Sequence, residues 1–402
     1  MEGEALTGVV LLADDLTGAG DAGMECLRAG WAVRCAFALR PSWERGLPTR
    51  PGEAAVLDLE TRRLDAAAAG RRAAAAGARL RALGRRPSYY KMDSTLRGNF
   101  AMEVAALRAA ARSPLAWIVP ANPSQGRWTV GGRQYVRGVP VERTAFAHDA
   151  LQPVRSSDVR ALAERVFGPG RVALASLTDV RRGSARLRRL RRGWVRGRAR
   201  AVVADAVTEA DLAAIAGALG PRDLPAGAAP LARFVLGPRT GATRSARVAV
   251  PRGLRWLVVV GSLNPVSRAQ VREARKAGRG TILVPFMPRG RHLNGAQGWP
   301  FDKAQGWPFD KAQGWRIATE LATRAARLVR ERRPGGLVLS GGLTAVAVCL
   351  ALGISALRLV GEIEPGLVLS EAPFGPGVLR IVTKPGGFGD PGCLRRLLGG
   401  RA

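Results

Sequence analysis

Short apolar runs rich in branched residues recur along this chain, each followed by a polar turn and then by residues with helical spacing. That alternation restricts the fold more than any other feature, because strands alternating with helices build a parallel sheet covered on both faces. Residues 9–12 form the first such run. The turn after it reads Ala-Asp-Asp-Leu-Thr-Gly-Ala-Gly-Asp from Ala13 to Asp21, and residues 22–29 have helical spacing and close at Gly30. Further strands are predicted at 31–39, 54–59, 88–92, 116–119, 171–176 and 201–204. Helices are predicted at 64–83, 101–112, 157–166 and 209–219, the last with Thr208 as its N-cap. The predicted class is α/β, with two domains, each a mainly parallel sheet flanked by helices.

In an open α/β sheet, ligands bind at the carboxyl ends of the strands, where the amides of the following helix face the crevice. Asp14 and Asp15 stand at the first of these mouths. Gly18, Gly20 and Gly23 spell G-x-G-x-x-G, the dinucleotide fingerprint. A pyrophosphate there would meet Asp14, Asp15 and Asp21 and be repelled by several kcal/mol at an effective dielectric of about 20. The carboxylates suit a polyhydroxylated anion better, accepting from its hydroxyls while the amides take its negative end. The alternative, that the two aspartates only cap the helix, stands equally on this turn alone. The second mouth, Asp93 to Asn99, repeats the arrangement: Lys91 and Arg97 could hold a carboxylate, and Asp93, Ser94, Thr95 and Asn99 could meet hydroxyls. Residues 120–138 follow as a Pro- and Gly-rich segment whose Gly126-Arg127 and Gly131-Gly132 pairs could bring backbone close to a ligand.

The 402 residues suffice for two domains with their own cores, and 47% hydrophobic residues is ordinary for a globular chain. No apolar run approaches the roughly 18 residues of a membrane span, and the first eight residues lack a secretory pattern, so a cytoplasmic location is expected. Cys26, Cys35, Cys349 and Cys393 have no metal-binding spacing and are expected to be reduced and buried. Only His148 and His292 are present, which excludes a His-rich metal site. The net charge of +32 invites a nucleic-acid reading, but 58 of the 63 basic residues are Arg, scattered along the chain. The densest patch, 181–200, holds ten Arg with Trp194 among them and few aromatics to stack on bases. No specific nucleic-acid partner is expected.

Periodicity fades over 221–251, and a division is placed after residue 235, giving domains 1–235 and 236–402. A strand at 255–260 ends in Gly261, Ser262, Leu263 and Asn264 before a helix at 267–277; another strand is predicted at 281–286. Ala296 to Lys303 reads Ala-Gln-Gly-Trp-Pro-Phe-Asp-Lys, repeats unchanged at 304–311 and begins again at 312–315. Pro in each copy blocks regular structure, so a mobile surface loop without catalytic part is expected over 296–315. A helix at 317–332 and a strand at 336–339 lead to Ser340, Gly341, Gly342, Leu343 and Thr344, then a helix at 345–352. No acid crowds this glycine turn, which suits a polyphosphate. Gly361 and Glu362 follow a strand at 357–360, and a strand at 378–383 delivers Lys384 and a loop containing Gly386 and Gly387. No G-x-x-x-x-G-K-[ST] occurs, so this is not a P-loop.

Taken together, 13–21, 91–99, 126–140, 205–212, 261–270, 340–353, 361–366 and 384–389 resemble, in this order, the motifs of the four-carbon acid sugar kinase family. The resemblance implies a sugar-acid-binding N-terminal domain and a nucleotide-binding C-terminal domain that transfer the γ-phosphoryl of ATP, with Mg²⁺, to a terminal hydroxyl of threonate, erythronate or a 3-oxo-tetronate. The acceptor site implied is Asp14, Thr17, Gly18, Arg62, Ser94, Thr95, Arg97, Gly98 and Asn99. Asp15 is the first choice of base and Asp93 the second, and Arg97 is the choice for the substrate carboxylate. The nucleotide site implied is Ser262, Gly342, Leu343, Thr344, Ala345, Gly361, Glu362, Gly386 and Gly387. A homodimer is compatible with this reading. Three features depart from the family: Leu343 replaces an acid, Leu263-Asn264 replaces a small residue or Cys, and the tandem repeat interrupts the nucleotide domain. A non-catalytic sugar-acid or nucleotide sensor is the alternative these departures raise, with an Arg-driven nucleic-acid binder behind it.

Overall fold

The computed structural model describes residues 8–37, 43–149, 152–239, 247–251, 253–262, 265–276, 278, 280–285 and 311–399. The chain divides into two compact units: Met1–Val248 with Ser355–Glu364 and Val368–Ala372, and Ala249–Ile354 with Pro365–Leu367 and Pro373–Ala402. In chain order the first elements are β1 (Val9–Ala13), α1 (Leu16–Arg28), β2 (Ala32–Phe37), β3 (Glu53–Asp58), α2 (Ala66–Ala82), β4 (Tyr89–Lys91), α3 (Phe100–Ala110) and β5 (Ala116–Val119). They are followed by β6 (Arg127–Val130), β7 (Arg133–Val136), β8 (Val139–Pro140), α4 (Val159–Phe167), β9 (Val172–Ala175), α5 (Leu177–Arg181), α6 (Ser184–Arg196) and β10 (Ala201–Ala204). Next are α7 (Glu209–Ala216), β11 (Leu224–Gly227), α8 (Ala229–Leu236), β12 (Trp256–Val260), α9 (Pro265–Lys276), β13 (Thr281–Leu283) and α10 (Lys311–Arg332). The last are β14 (Gly336–Ser340), α11 (Gly342–Ala351), β15 (Ala356–Glu364), β16 (Leu367–Phe374), β17 (Gly377–Lys384) and α12 (Cys393–Leu397).

In the first unit the strand order is β15-β2-β3-β1-β4-β11-β5-β10-β9. All these neighbours are parallel except β15 against β2. Leu12 stands beside Leu57 on one side and Tyr90 on the other, and all three are fully buried, with Ile118 and Val203 continuing the core. Each such side chain contributes roughly 1.5–3 kcal/mol by leaving water. Helix α2 packs on α3 through glycines: a Cβ at Gly70 would lie 2.7 Å from Met102 Cγ, and one at Gly77 2.8 Å from Ala110 Cβ.

Several expectations are corrected. The first turn is shorter than predicted, because the Asp15 carboxylate caps α1 and the helix starts at Leu16. The fingerprint glycines therefore lie inside α1. Gly23 lets the helix settle on the sheet, since a Cβ there would sit 2.7 Å from Leu359 Cδ2 and 3.2 Å from Val33 Cγ1. The Pro- and Gly-rich segment folds into the antiparallel sheet β6-β7-β8. Its hairpin turn is Gly131-Gly132, both at positive φ (59° and 71°), as a two-residue turn between twisted strands demands. Both amides donate to Asp205, at 2.8 Å each, so they are spent on structure. Within 221–251, β11 lies between β4 and β5, and α8 follows it. The 181–200 patch is mostly α6, where Arg191 forks onto Asp223 at 2.6 Å and Trp194 meets Trp117 edge to face at 5.8 Å.

In the second unit β13-β12-β14-β17 run parallel, with Val258 beside Val338 and Val338 beside Val382. Of the tandem repeat, 296–310 lie outside the described residues. Lys311–Trp315, expected in the loop, form the first turn and a half of α10, because this partial copy ends before its Pro. Among the described residues no helix is long and apolar enough to cross a membrane.

Candidate functional site

The carboxyl ends of β1, β3 and β4 deliver Asp14, Arg62 and Asp93 to one place in the first unit. Arg62 grips Asp14 through Nε (2.8 Å) and Nη2 (2.9 Å), reaches Asp15 Oδ2 with Nη1 at 2.5 Å, and lies 3.9 Å from Asp93 Oδ1. Asp15 Oδ1 accepts from Gly18 N at 2.7 Å, which makes Asp15 both the helix cap and an ion-pair partner. Gly18 is small for a reason: a Cβ would lie 2.9 Å from Lys91 Nζ, whose amine passes over the helix start and donates to Met92 O at 2.9 Å. Thr17 stands half-buried in the same first turn.

The second turn is organised around Asp93. Thr95 Oγ1 donates to its Oδ2, and Arg97 donates from N (3.3 Å), Nε (2.9 Å) and Nη2 (3.2 Å). Burial pushes the Asp93 carboxyl up, but Arg97 and Arg62 outweigh it and hold it well below the usual carboxylate range. Held ionised in this way, it accepts a proton less readily than a free carboxylate. Arg97 is committed as well, with Nη1 3.3 Å from Asp149 and its guanidinium 5.1 Å over Phe146. The Asn99 side-chain amide donates to Leu64 O (2.9 Å) and Thr61 O (3.4 Å). Gly98, at φ 89°, packs against Arg62, where a Cβ would meet Cγ at 3.3 Å.

Burial, opposed by Arg62, raises the Asp14 carboxyl, and burial pushes Asp21 up to about 6 and Glu60 to about 7. Beneath them Glu103 of α3 is fully buried beside the hydroxyls of Thr61 and Tyr90. Burial and then the Asp14 charge push it up to about 7. Glu103 and Asp58 were missed by sequence reasoning, since nothing in their local pattern marks them as buried beside Asp14. Arg127 was noted only for its neighbouring glycine. Its Nη1 donates to Ser94 Oγ at 2.5 Å, while Gln134 Nε2 holds Ser94 O at 2.7 Å. Among the described residues no three His, Cys, Asp or Glu side chains gather to hold a metal.

The second unit brings together the ends of β12, β14 and β17. Gly341, at φ 106°, caps α11 and donates to Lys384 O at 2.8 Å. Lys384 Nζ donates to Pro385 O (2.6 Å), Gly386 O (3.0 Å) and Phe388 O (2.8 Å), and burial lowers its pKa to about 8. Ser267 Oγ donates to Gly386 O, and Gln270 Nε2 reaches the carbonyls of Phe388, Gly389 and Asp390 at 2.8–3.1 Å. Gly386 lies against Ser262, with a Cβ there only 2.7 Å from Ser262 Cβ, and Gly387 is exposed beside it. Gly342, Leu343 and Thr344 form the first turn of α11, Thr344 packing its hydroxyl against Gly261.

Three expected nucleotide residues lie elsewhere than in this turn's exposed backbone. Ala345 is buried and its amide donates to Gly341 O within the helix. Gly361 and Glu362 lie inside β15, counted with the first unit, because the strand continues past 360, and Glu362 pairs with Arg28 at 2.7 Å. Leu263 and Asn264 fall outside the described residues.

Residues 9–235 match the model of a sugar-binding N-terminal domain and 301–394 that of a nucleotide-binding C-terminal domain. A D-threonate kinase of Cupriavidus necator is 35% identical, with 96% of each chain covered. A D-threonate kinase of Bordetella bronchiseptica is 33% identical over 96% of this chain and 95% of its own. A solved structure from Salmonella typhimurium LT2, described as a tRNA synthase, superposes with a TM-score of 0.75 at 21% identity, covering 96% of this chain and 98% of its own. That last likeness concerns the fold alone. The two domain matches in order, with near-full-length relatives above 30% identity, place this chain in the four-carbon acid sugar kinase family.

Proposed function

We propose that the chain is an ATP-dependent kinase acting on the terminal hydroxyl of a four-carbon sugar acid, with D-threonate as its first substrate to test. The observation that carries this reading is the buried cluster of Asp14, Asp15, Asp93, Arg62 and Arg97 at the strand ends of the first unit. Carboxylates fixed by guanidinium groups keep acceptor lone pairs for substrate hydroxyls at small reorganisation cost. Asp14 is the better base: its pKa is raised and it caps no helix, whereas Asp15 is divided between Gly18 N and Arg62. Phosphoryl transfer asks little of a base beyond orienting the hydroxyl, so positioning dominates.

The second unit supports nucleotide binding through the same kind of argument. Gly341 at positive φ, the first turn of α11 and the loop at Gly386 bring backbone close together where a side chain would not fit. Ser262, Gly342, Leu343, Thr344, Gly386 and Gly387 would hold the phosphates. Mg²⁺ would be held through phosphate oxygens and water, and it neutralises phosphate charge when bound.

The test is ADP release from Mg·ATP by the purified chain with D-threonate, L-threonate and D-erythronate, alongside calorimetric titration of each. A turnover of about 1–100 s⁻¹ with one of them supports the reading. Binding of both acid and ATP without ADP release favours the sensor, which Leu343 in the first turn of α11 motivates. Binding of neither ends both.

A further inference from the structure

Three arginines reach the acceptor cluster, and they differ in what neutralises them. Arg62 and Arg97 each use the Nε/Nη2 edge of the guanidinium to fork onto a carboxylate, Asp14 and Asp93 respectively. Arg127, from β6, does not. Its Nη1 donates to Ser94 Oγ at 2.5 Å and its guanidinium lies 5.7 Å from the Phe146 ring centre, but no carboxylate comes within ion-pair distance among the described residues. Its Nε is shut off from solvent and has no hydrogen-bond partner. A half-buried guanidinium in this state is costly, and an incoming anion that pairs with it removes the cost. Burial, and the neighbouring Arg97 charge against the attraction of Asp93, make its proton easier to lose than usual, in line with a cation lacking its counter-ion.

We infer that Arg127 is the anchor for the carboxylate of the acid substrate, the role the sequence suggested for Arg97. The inference rests on the kinase reading for the identity of the anion. Arg97 is already occupied by Asp93 and Asp149, and drawing it away would leave the buried Asp93 with the Thr95 hydroxyl and Arg62 at 3.9 Å. Arg127 can take a ligand without breaking an ion pair. Ser94 and Phe146 fix its plane, so the carboxylate would be taken in one orientation, with the hydroxylated end of a four-carbon chain left to the aspartates.

The test compares D-threonate with its uncharged amide, D-threonamide, in wild type, Arg127→Gln and Arg127→Lys. Selectivity is read as the ratio of kcat/KM values within one sample, so a partly unfolded variant does not distort it. Wild type should prefer the acid by a factor on the order of 10², the usual weight of a desolvated charge pair. Arg127→Gln should bring the ratio to about one through the KM of the acid, and Arg127→Lys, charged but unable to fork, should fall between. A ratio unchanged in Arg127→Gln overturns the assignment with the kinase reading intact. So does an equal fall in kcat for acid and amide, which would mark a contact to the transferring phosphoryl group. If wild type transfers no phosphate, calorimetry with D-threonate alone still decides: binding lost in Arg127→Gln supports the anchor, and binding retained overturns it.

Discussion

Arg62 and Asp14, 48 positions apart in the sequence, are joined by two parallel hydrogen bonds of 2.8 and 2.9 Å through the Nε/Nη2 edge. The remaining Nη1 is given to Asp15, so one guanidinium neutralises two carboxylates where β1 meets α1. Arg62→Met should lower unfolding stability by about 3–5 kcal/mol, the cost of leaving buried charge unpaired. Arg62→Lys should recover part of that loss, since an ammonium keeps the charge without the fork. Urea denaturation at neutral pH measures both.

Asp14 and Asp15 are adjacent but do different work, and their Asn variants should separate. Asp14→Asn should lower turnover about 10²-fold or more, the weight of a lost acid-base contact. Asp15→Asn keeps a good N-cap and should cost turnover less while lowering stability through the lost Arg62 pair. A larger turnover loss in Asp15→Asn would reverse the two roles. Steady-state kinetics with matched thermal melts provide the comparison.

Gly386 carries the close approach of the second unit. In Gly386→Ala the new methyl strikes Ser262, so the loop must shift and the KM for ATP should rise about tenfold or more with the acid's KM little changed. Adding Ser262→Gly opens the space, and the double variant should regain the ATP affinity lost to the clash, less what Ser262 itself contributes. A double variant no better than Gly386→Ala would show that the methyl acts through something other than Ser262.

Glu103 sets a pH dependence of stability. Its folded pKa, about 7, lies above the ordinary value of 4.5, so the folded chain binds the extra proton. The stability this brings is fully present below about pH 4.5 and is lost as pH rises through about 7. Glu103→Gln, permanently neutral, should therefore be more stable than wild type at pH 8 and should narrow the difference in melting temperature between pH 5 and pH 8. Glu60, also raised to about 7, leaves part of the slope in place. A wild-type slope unchanged in the variant would mean that Glu103 does not titrate in this window.

The Arg-rich stretch 181–200 shows what packing adds to composition. Read as sequence, its ten arginines could bind phosphate backbones, with Trp194 unassigned. In the fold, Trp194 packs on Trp117, and Arg191 and Trp117 both bond to Asp223, which makes the patch in part the outer face of a helix packed beside β5. The Gly131-Gly132 pair is the opposite case: two glycines between alternating residues carry a hairpin signal in their spacing. The expectation that the pair brings backbone close to a ligand overlooked that both glycines supply the positive φ of a two-residue turn.

What the sequence determined by itself is local. Apolar runs marked β1, β3, β5, β10, β12 and β14 because burial on both faces demands continuous branched side chains, and Thr208 marked the start of α7 because its hydroxyl reaches an amide three residues on. The polar turns after the strands marked where ligands could bind, because helix amides open there. Only the tertiary structure decided the rest. It placed β11 between β4 and β5 although Pro225 argues against a central strand, joined Arg62 to Asp14, spent Asn99 on the chain at 61–64, buried Glu103 and left Arg127 without a carboxylate. The reason is that pairing and burial are set by distances between residues tens of positions apart, and those distances exist only once the sheet has assembled its strands out of sequence order.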